Sequence, residues 1–404
     1  MFRSLSTEVR QYLVITANYW AFTLSDGALR MLVLLYFHGL GYSPFEVAML
    51  FVFYEAFGVI TNLVGGWLAA RLGLNKTMNT GLALQLFALS MLLVPSSMLN
   101  MGWVMVAQAF SGIAKDLNKM SAKTAVKLLL PSNAEGKLFH WVAVLTGSKN
   151  TLKGLGFFVG GALLSSLGFT GAIASMLSLL LLVFIFSLLL LKKELGQIKR
   201  KVKFTEVFSK SSAINYLSAA RLFLFCSRDV WFVIALPVFL SSQLAWNYWS
   251  VGAFLAFWVI AYGLVQTIAP IITRTKGKRM PSGQSAFTWA AMLSLIPAAI
   301  ALGLSSELDT ETVLLTGLLV FGVLFAINSS LHSYLIVSYA RVEGASMDVG
   351  FYYMANAMGR LIGTLLSGYI YQQFGLASCL WLSSFFILIS ALIALRLPKQ
   401  AVVK

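Results

Sequence analysis

Two lysines one helical turn apart are the clearest candidates for binding chemistry in this sequence. Lys149 and Lys153 lie in GSKNTLKGLG, which continues through FFVGGALLSSLGF without another charged residue. Residues four apart share one face of a helix, so these ammonium groups repel each other and have no acid on their own helix. The pair requires acids on other helices or a bound anion opposite it, and we interpret it as part of an anion site.

Other basic residues also interrupt apolar stretches, and they outnumber the acids found there. A Lys, Arg or Asp at the centre of a membrane costs about 2.5 to 3.5 kcal/mol, so such residues face a partner or a water-filled cavity. The basic residues are Arg30, Lys115, Lys119, Lys149, Lys153, Arg221, Arg228 and Arg360, and the acids are Asp26, Glu55, Asp116 and Asp229. Eight cations minus four acids leaves four cations without an acidic counterpart.

This surplus predicts an electropositive cavity that binds a multiply charged anion. Arginine forks suit carboxylate and phosphate oxygens, and lysines add point charges. Arg221 and Arg228 are seven residues apart on one face of a helix, whereas we expect Asp229 to point elsewhere. The predicted substrate-binding residues are Lys149, Lys153, Arg360, Arg228, Arg221, Arg30, Lys115, Asn150, Asn356 and Tyr353.

The acids have two interpretations. Asp26 and Arg30 are spaced i, i+4 and Asp116 and Lys119 are spaced i, i+3, so each pair can meet on one helix face and hold the fold together. In the second interpretation the acids carry protons and couple binding to an ion gradient. The candidates for this role are Asp26, Glu55, Asp116 and Asp229.

The elements that must position these residues are long apolar helices. The chain has 404 residues, of which 59% are hydrophobic and only 11% are charged. A helix needs about 20 apolar residues to cross a bilayer, and lipid leaves the backbone groups of open strands unsatisfied. We therefore predict an all-helical polytopic membrane protein. Its twelve predicted transmembrane stretches are 12–37, 45–70, 76–95, 101–122, 138–166, 169–191, 213–240, 247–273, 283–304, 312–338, 349–374 and 376–396.

Lys and Arg residues in the predicted loops lie on one side of the predicted membrane. The runs KKELGQIKRKVK at 192–203 and RTKGKR at 274–279 fall on the same side as both termini. The opposite loops HGLGYSP, VPSSMLN, SSLGFTGA and SSQLAWN contain neither Lys nor Arg. This bias predicts that both termini are cytoplasmic. The net charge of +16 then reflects topology, and we expect no nucleic-acid partner.

The sequence also divides into two similar halves. We predict six-helix bundles over 1–191 and 212–404, joined by a basic cytoplasmic linker over 192–211. A faint repeat at a spacing of 207 residues supports this division, since it aligns Lys153, Gly156, Gly161 and Gly168 with Arg360, Gly363, Gly368 and Gly375. Two six-helix halves around a site at the membrane midplane are the plan of the major facilitator superfamily.

A short motif strengthens the resemblance to this superfamily. The segment GGWLAARLGLNK at 65–76 resembles its loop signature, with Gly66, Arg71, Gly73 and Lys76 in register. We assign Gly66, Arg71 and Gly73 to a gating loop. The segment departs from the signature at Ala70, where an acid usually stands. The resemblance implies a transporter whose halves rock about a central cavity.

Four runs resemble a narrower family, the organoarsenical efflux permeases called ArsJ. They are NYWAFTLSDGALRMLVLLYFHGLGYSP, FYEAFGVITNLVGGWLAARLGLNKTMN, SGIAKDLNKMSAK and LTGSKNTLKGLGFFVGG. The resemblance implies secondary-active efflux of 1-arseno-3-phosphoglycerate across the inner membrane of a bacterium, and hence arsenate resistance. It also implies a functional link to glyceraldehyde-3-phosphate dehydrogenase, which makes this compound when arsenate replaces phosphate.

The residues leave two other functions open. An importer or exchanger of phosphorylated three-carbon acids needs the same cations, and a membrane scaffold or sensor uses them only to lock its helices. The sequence shows no nucleotide-binding loop and no metal-ligand cluster. Cys226 and Cys379 stand in different halves, a poor site for a thiolate-bound metal. We therefore expect no enzyme activity, no cofactor and no metal.

Overall fold

The regular structure of the chain is helical throughout the part that the computed structural model describes. That part comprises residues 7–129, 135–191, 211–273, 282–339 and 345–398. A short 3-10 turn at Ser96–Met98 accompanies the α-helices. The α-helices are α1 (Thr7–Gly39), α2 (Pro44–Leu50), α3 (Val52–Leu72), α4 (Leu74–Met91), α5 (Met101–Leu129), α6 (Glu135–Leu190), α7 (Ser212–Phe232), α8 (Ala235–Ser242), α9 (Tyr248–Ile272), α10 (Gly283–Leu304), α11 (Thr310–Tyr339) and α12 (Ala345–Ala394).

Eight segments of the described residues are long and apolar enough to cross a membrane. They are Leu13–Gly39, Pro44–Val64, Ser148–Leu190, Ser212–Ser242, Tyr248–Ala269, Gly283–Leu304, Thr310–Ile336 and Gly350–Ala394. Helices α4 and α5 lie in two further predicted stretches but are not among the eight. The prediction of an all-helical protein with membrane-length helices is confirmed. The twelve crossings and the orientation of the termini stay predictions.

Two of the long helices bend at a glycine. Helix α6 turns at Gly168, with φ 66° and ψ −177°, and α12 turns at Gly375, with φ 77° and ψ −178°. Glycine adopts positive φ without the steric penalty that a β-carbon brings. The bends fall at the two positions that the repeat aligns, so the halves share a backbone conformation as well as a sequence pattern.

The first half of the chain comprises α1–α6 and the second comprises α7–α12. In the first half α1 packs along α6, and in the second α7 packs along α12. The halves meet where α6 packs on α9 and where α12 packs on α2 and α3. The predicted linker 192–211 lies outside the described residues apart from Ser211, so the bundle boundaries 1–191 and 212–404 remain predictions.

Two equivalent glycine seams join the halves. Gly161 of α6 faces Tyr248 of α9, and Gly368 of α12 faces Pro44 of α2. A β-carbon on either glycine would stand 2.6 Å from the facing carbonyl oxygen, closer than packed atoms approach. Residues without a side chain allow helices to come this close. The repeat relates Gly161 to Gly368, so the two seams are related by the similarity of the halves.

Candidate functional site

The charged residues of the apolar stretches converge between the two halves. Helices α1, α3, α5 and α6 of the first half and α7 and α12 of the second half each contribute a face. Each helix can present several charged residues together, because residues three or four apart share one helix face. On α6, for example, Lys149, Lys153 and Phe157 follow one another at intervals of four.

Two cavities lie at this centre. The larger is lined by five basic and two acidic side chains, and the smaller by four basic and one acidic side chain. On α1 the larger cavity reaches from Tyr19 to Asp26 and the smaller from Arg30 to Leu34, so the smaller one lies nearer the seams. The charged residues of the larger cavity are Asp26, Lys115, Asp116, Lys119, Lys149, Lys153 and Arg360, and those of the smaller are Arg30, Lys153, Arg228, Asp229 and Arg360.

Lys153 and Arg360 line both cavities and therefore lie between them. Lys153 belongs to the first half and Arg360 to the second, at the positions that the repeat aligns. Tyr353 and Asn356, which were predicted to bind substrate, line the larger cavity on the same helix as Arg360. An ion held by both Lys153 and Arg360 would touch both halves of the protein.

Glu55 of α3 is fully buried and connects the halves by charge. Its Oε1 accepts hydrogen bonds from Arg30 Nη1 at 2.9 Å and from Arg360 Nη2 at 2.6 Å. Arg30 lies in the first half and Arg360 in the second. The other carboxylate oxygen, Oε2, has no hydrogen-bond partner within the described residues.

The expected pair of Asp26 with Arg30 does not form. Asp26 Oδ1 instead accepts a hydrogen bond from the Tyr54 hydroxyl at 2.7 Å, while Arg30 turns to Glu55 and lies 5.1 Å from the centroid of the Phe51 ring. The spacing on α1 allowed this pair but carries no information about acids on the next helix, and α3 brings a closer carboxylate to Arg30.

The expected pair of Asp116 with Lys119 does form. Lys119 Nζ lies 2.5 Å from Asp116 Oδ1 and also donates to Asn62 Oδ1. Lys115 Nζ lies 3.9 Å from Asp116 Oδ2 and 3.9 Å from the centroid of the Tyr54 ring. A cation over an aromatic face gains electrostatic stabilisation, so Tyr54 helps to hold Lys115 at the cavity wall.

Arg228 and Asp229 also pair, although we expected Asp229 to point elsewhere. Arg228 Nη2 lies 2.5 Å from Asp229 Oδ1, and Arg360 Nε lies 3.4 Å from Asp229 Oδ2. The arginine side chain is long enough to reach around the helix to its neighbour. Among the described residues, Asp229 therefore pairs with cations of its own half only.

Lys153 differs from these cations. Within the described ranges it makes no hydrogen bond and no ion pair, and its Nζ lies 5.5 Å from the centroid of the Phe157 ring. The side chain is partly accessible from the cavities. This ammonium group is available to a ligand.

Three predicted binding residues, Arg221, Asn150 and Asn356, belong to a hydrogen-bond network at the edge of the cavities. Arg221 lines neither cavity; its Nε donates to Asn356 Oδ1 at 2.9 Å and its Nη1 to Ser329 Oγ at 3.2 Å. Asn150 Nδ2 donates to Gln266 Oε1 at 2.7 Å, and Gln266 Nε2 donates to Ser329 Oγ at 3.2 Å. The network crosses between the halves. Sequence reasoning missed Gln266 and Ser329, although Gln266 is the only amide side chain in the apolar helix α9.

The predicted gating loop is mostly part of a helix. Gly66 and Arg71 fall in the last part of α3, and Gly73, with φ 89°, separates α3 from α4. The side chains of 65–72 lie outside what the structure describes. A gating role for this turn stays a prediction.

Comparison with known proteins supplies the family. The model of the Major Facilitator Superfamily matches residues 13–360. Two solved structures are similar to nearly the whole chain: a POT family transporter in complex with 5-aminolevulinic acid, and a POT family transporter in complex with a thioalcohol conjugated peptide. Each has a TM-score of 0.77 and 16% sequence identity, over 96% of this chain and 95% of the other. At this identity the likeness is one of fold. No curated protein matches the chain.

Proposed function

The chain belongs to the Major Facilitator Superfamily, and from this premise we propose that it transports a small, multiply charged anion. It is a polytopic membrane protein and a secondary transporter, not an enzyme. The observation that carries the proposal is the pair Lys153 and Arg360, one from each half, between two cavities whose walls carry more cations than acids.

The charges support an anionic substrate. Among the described residues, Glu55, Asp116 and Asp229 form ion pairs with five cations. Lys153 and Arg221 have no carboxylate partner in the same ranges. Buried charge without a counter-ion is costly, and a multiply charged anion in the cavities would provide the missing negative charge. Arginine forks and lysine point charges are the groups that bind phosphate-like oxygens.

The position of the pair suits alternating access. In this superfamily the halves move about a site at the midplane of the membrane. An anion in contact with both Lys153 and Arg360 can stay bound while access passes from the larger cavity to the smaller one. The seams close the end of the bundle near the smaller cavity, so opening that end requires the halves to part there.

The resemblance to ArsJ identifies the anion that we propose, 1-arseno-3-phosphoglycerate, and efflux as the direction. This compound carries a phosphate at one end and an arsenate ester at the other, so it brings several negative charges to the site. Efflux of such an anion from a bacterial cell also follows the membrane potential, which is worth about 2.3 kcal/mol per charge per 100 mV.

The test is arsenate resistance of sensitive bacteria that express the chain with or without a partner glyceraldehyde-3-phosphate dehydrogenase. We expect resistance only when both are present. We also expect Lys149→Ala, Lys153→Ala and Arg360→Ala to abolish it at normal membrane expression. Arg396→Ala, which removes an exposed cation at the end of the chain's last helix, is the matched control. Full resistance in all three cavity variants would refute the proposed site.

Transport direction needs a separate measurement. Everted membrane vesicles supplied with freshly made labelled substrate should accumulate the label if the protein is an exporter. Loss of label from preloaded everted vesicles, without accumulation, would instead indicate an importer of phosphorylated three-carbon acids that uses the same cations.

A further inference from the structure

We propose that Glu55 is an internal counter-anion that pairs with Arg360 until the transported anion arrives. The arriving anion displaces Glu55 from Arg360 and so breaks the ion pair between the two halves. This inference rests on the proposed function, because it needs an anion in the cavities. It assigns to Glu55 a positioning role that differs from carrying a proton.

The geometry around Glu55 is that of a partly filled anion site. One carboxylate oxygen, Oε1, accepts from guanidinium groups of both halves, at 2.9 Å from Arg30 Nη1 and 2.6 Å from Arg360 Nη2. Arginine and carboxylate commonly pair through two parallel hydrogen bonds. Here Glu55 Oε2, Arg30 Nη2 and Arg360 Nε have no hydrogen-bond partner within the described residues. Glu55 therefore neutralises both arginines without using all their donors.

The other paired acids of the site do not connect the halves. Asp116 pairs with lysines of its own helix, and Asp229 pairs with Arg228 and Arg360, all in the second half. Among the ion pairs in which both side chains are described, that of Glu55 with Arg360 is the one that crosses from one half to the other. Displacing Glu55 from Arg360 is thus the step that removes an electrostatic connection between α3 and α12.

The cavities explain why an anion would compete with Glu55. Arg360 lines both cavities, whereas Glu55 lines neither. A cavity anion approaches Arg360 from the open side and competes for the same positive charge. Two ligands that compete for one group weaken each other by equal factors. Removing the charge of Glu55 must therefore strengthen anion binding, and anion binding must loosen the contact between the halves.

The experiment compares Glu55→Gln with the matched variant Asp229→Asn, which also removes one negative charge next to Arg360. Binding of 3-phosphoglycerate, a stable probe, is measured by calorimetry on the purified full-length protein in detergent. Because a neighbouring charge shifts ionic equilibria by one unit or more, we expect Glu55→Gln to bind the probe about tenfold or more tightly than the wild type. Equal or weaker binding would overturn the proposal.

A distance measurement isolates the connection between the halves. Spin labels are placed at Leu40→Cys and Leu308→Cys, which are 57% and 64% exposed in different halves, while the native cysteines are buried. We expect the label distance to shift in the Glu55→Gln background without probe and to stay at the wild-type value with Asp229→Asn. An identical shift in both variants would show that only local charge matters and would overturn the proposal.

The wild type alone keeps the proposal testable if Glu55→Gln fails to fold. Saturating 3-phosphoglycerate should then shift the label distance of the wild-type background, and an unchanged distance would contradict the displacement of Glu55. The two proposals fail separately. A wild type that binds no anionic probe removes the proposed function, whereas a wild type that binds it but shows no effect of Glu55 removes only this inference.

Discussion

Lys153 and Arg360 occupy equivalent positions of the two halves, 207 residues apart, yet their surroundings differ. Arg360 pairs with Glu55 from the opposite half and with Asp229 from its own half. Lys153 has no carboxylate partner anywhere in the described ranges. A guanidinium can serve two acids at once because its donors point in several directions, whereas an ammonium is a compact point charge. The first half thus offers an available cation, and the second offers one that is engaged in structure.

The acids of the two halves show the same contrast. Asp229 of α7 holds the two arginines of the second half. Asp26 of α1, in the first half, accepts a hydrogen bond from the Tyr54 hydroxyl and forms no ion pair with a described residue. The comparison teaches that similar helices place charge at similar depths, while neighbouring helices decide which charges are neutralised.

Of the substitutions considered, Arg360→Met should have the largest effect on stability and transport. It leaves Glu55 and Asp229 buried without their shared cation, and removing one partner of a buried ion pair costs about 3 to 5 kcal/mol. We expect a loss of this size in the free energy of unfolding in mild detergent, together with loss of transport. Stability equal to that of the wild type would mean that Arg360 does not neutralise these acids.

Lys153→Met should weaken anion binding without that loss of stability. Truncating one member of a buried charge pair costs about 2 kcal/mol or more of binding, which is about thirtyfold in the dissociation constant of 3-phosphoglycerate. No described acid loses a cationic partner, so the free energy of unfolding should stay at or above the wild-type value. A loss of stability as large as that of Arg360→Met would contradict the assignment of Lys153 as the available cation.

Tyr54→Phe should have the smallest effect. It removes the hydrogen bond to Asp26 and keeps the aromatic face under Lys115, so only one charge-assisted bond is lost. Such bonds contribute about 1.5 to 3 kcal/mol, and we expect unfolding to become easier by about this amount. A matched Phe225→Leu variant should instead weaken the packing of Arg221, which lies 4.0 Å from that ring centroid, and leave Asp26 unaffected.

The sequence was sufficient to predict an all-helical fold, the superfamily and the convergence of the charged residues. Charged residues such as Lys153 are conspicuous in apolar helices because they are expensive there. The repeat that aligns Gly168 with Gly375 correctly marked two equivalent positions, and both are bends. These features depend on the composition and spacing of single segments.

The partners of the charges were harder to predict. The pair of Asp26 with Arg30 did not form and the pair of Arg228 with Asp229 did, because the choice depends on which acid an adjacent helix presents. The network through Gln266 was missed for the same reason, since an isolated amide gives no spacing pattern. To predict contacts between the halves, one must know how each helix is rotated about its axis. A single sequence does not determine that rotation.

The two glycine seams have a steric consequence for how the protein cycles. At Gly161 and Gly368 a β-carbon would collide with the facing backbone, so close packing at these two glycines helps to shut the end of the bundle near the smaller cavity. A single methyl group inserted at either place would act as a wedge and favour the conformation with that end open. Which face of the membrane an empty carrier presents thus depends partly on the absence of two small side chains, and this offers a route to trapping the opposite state.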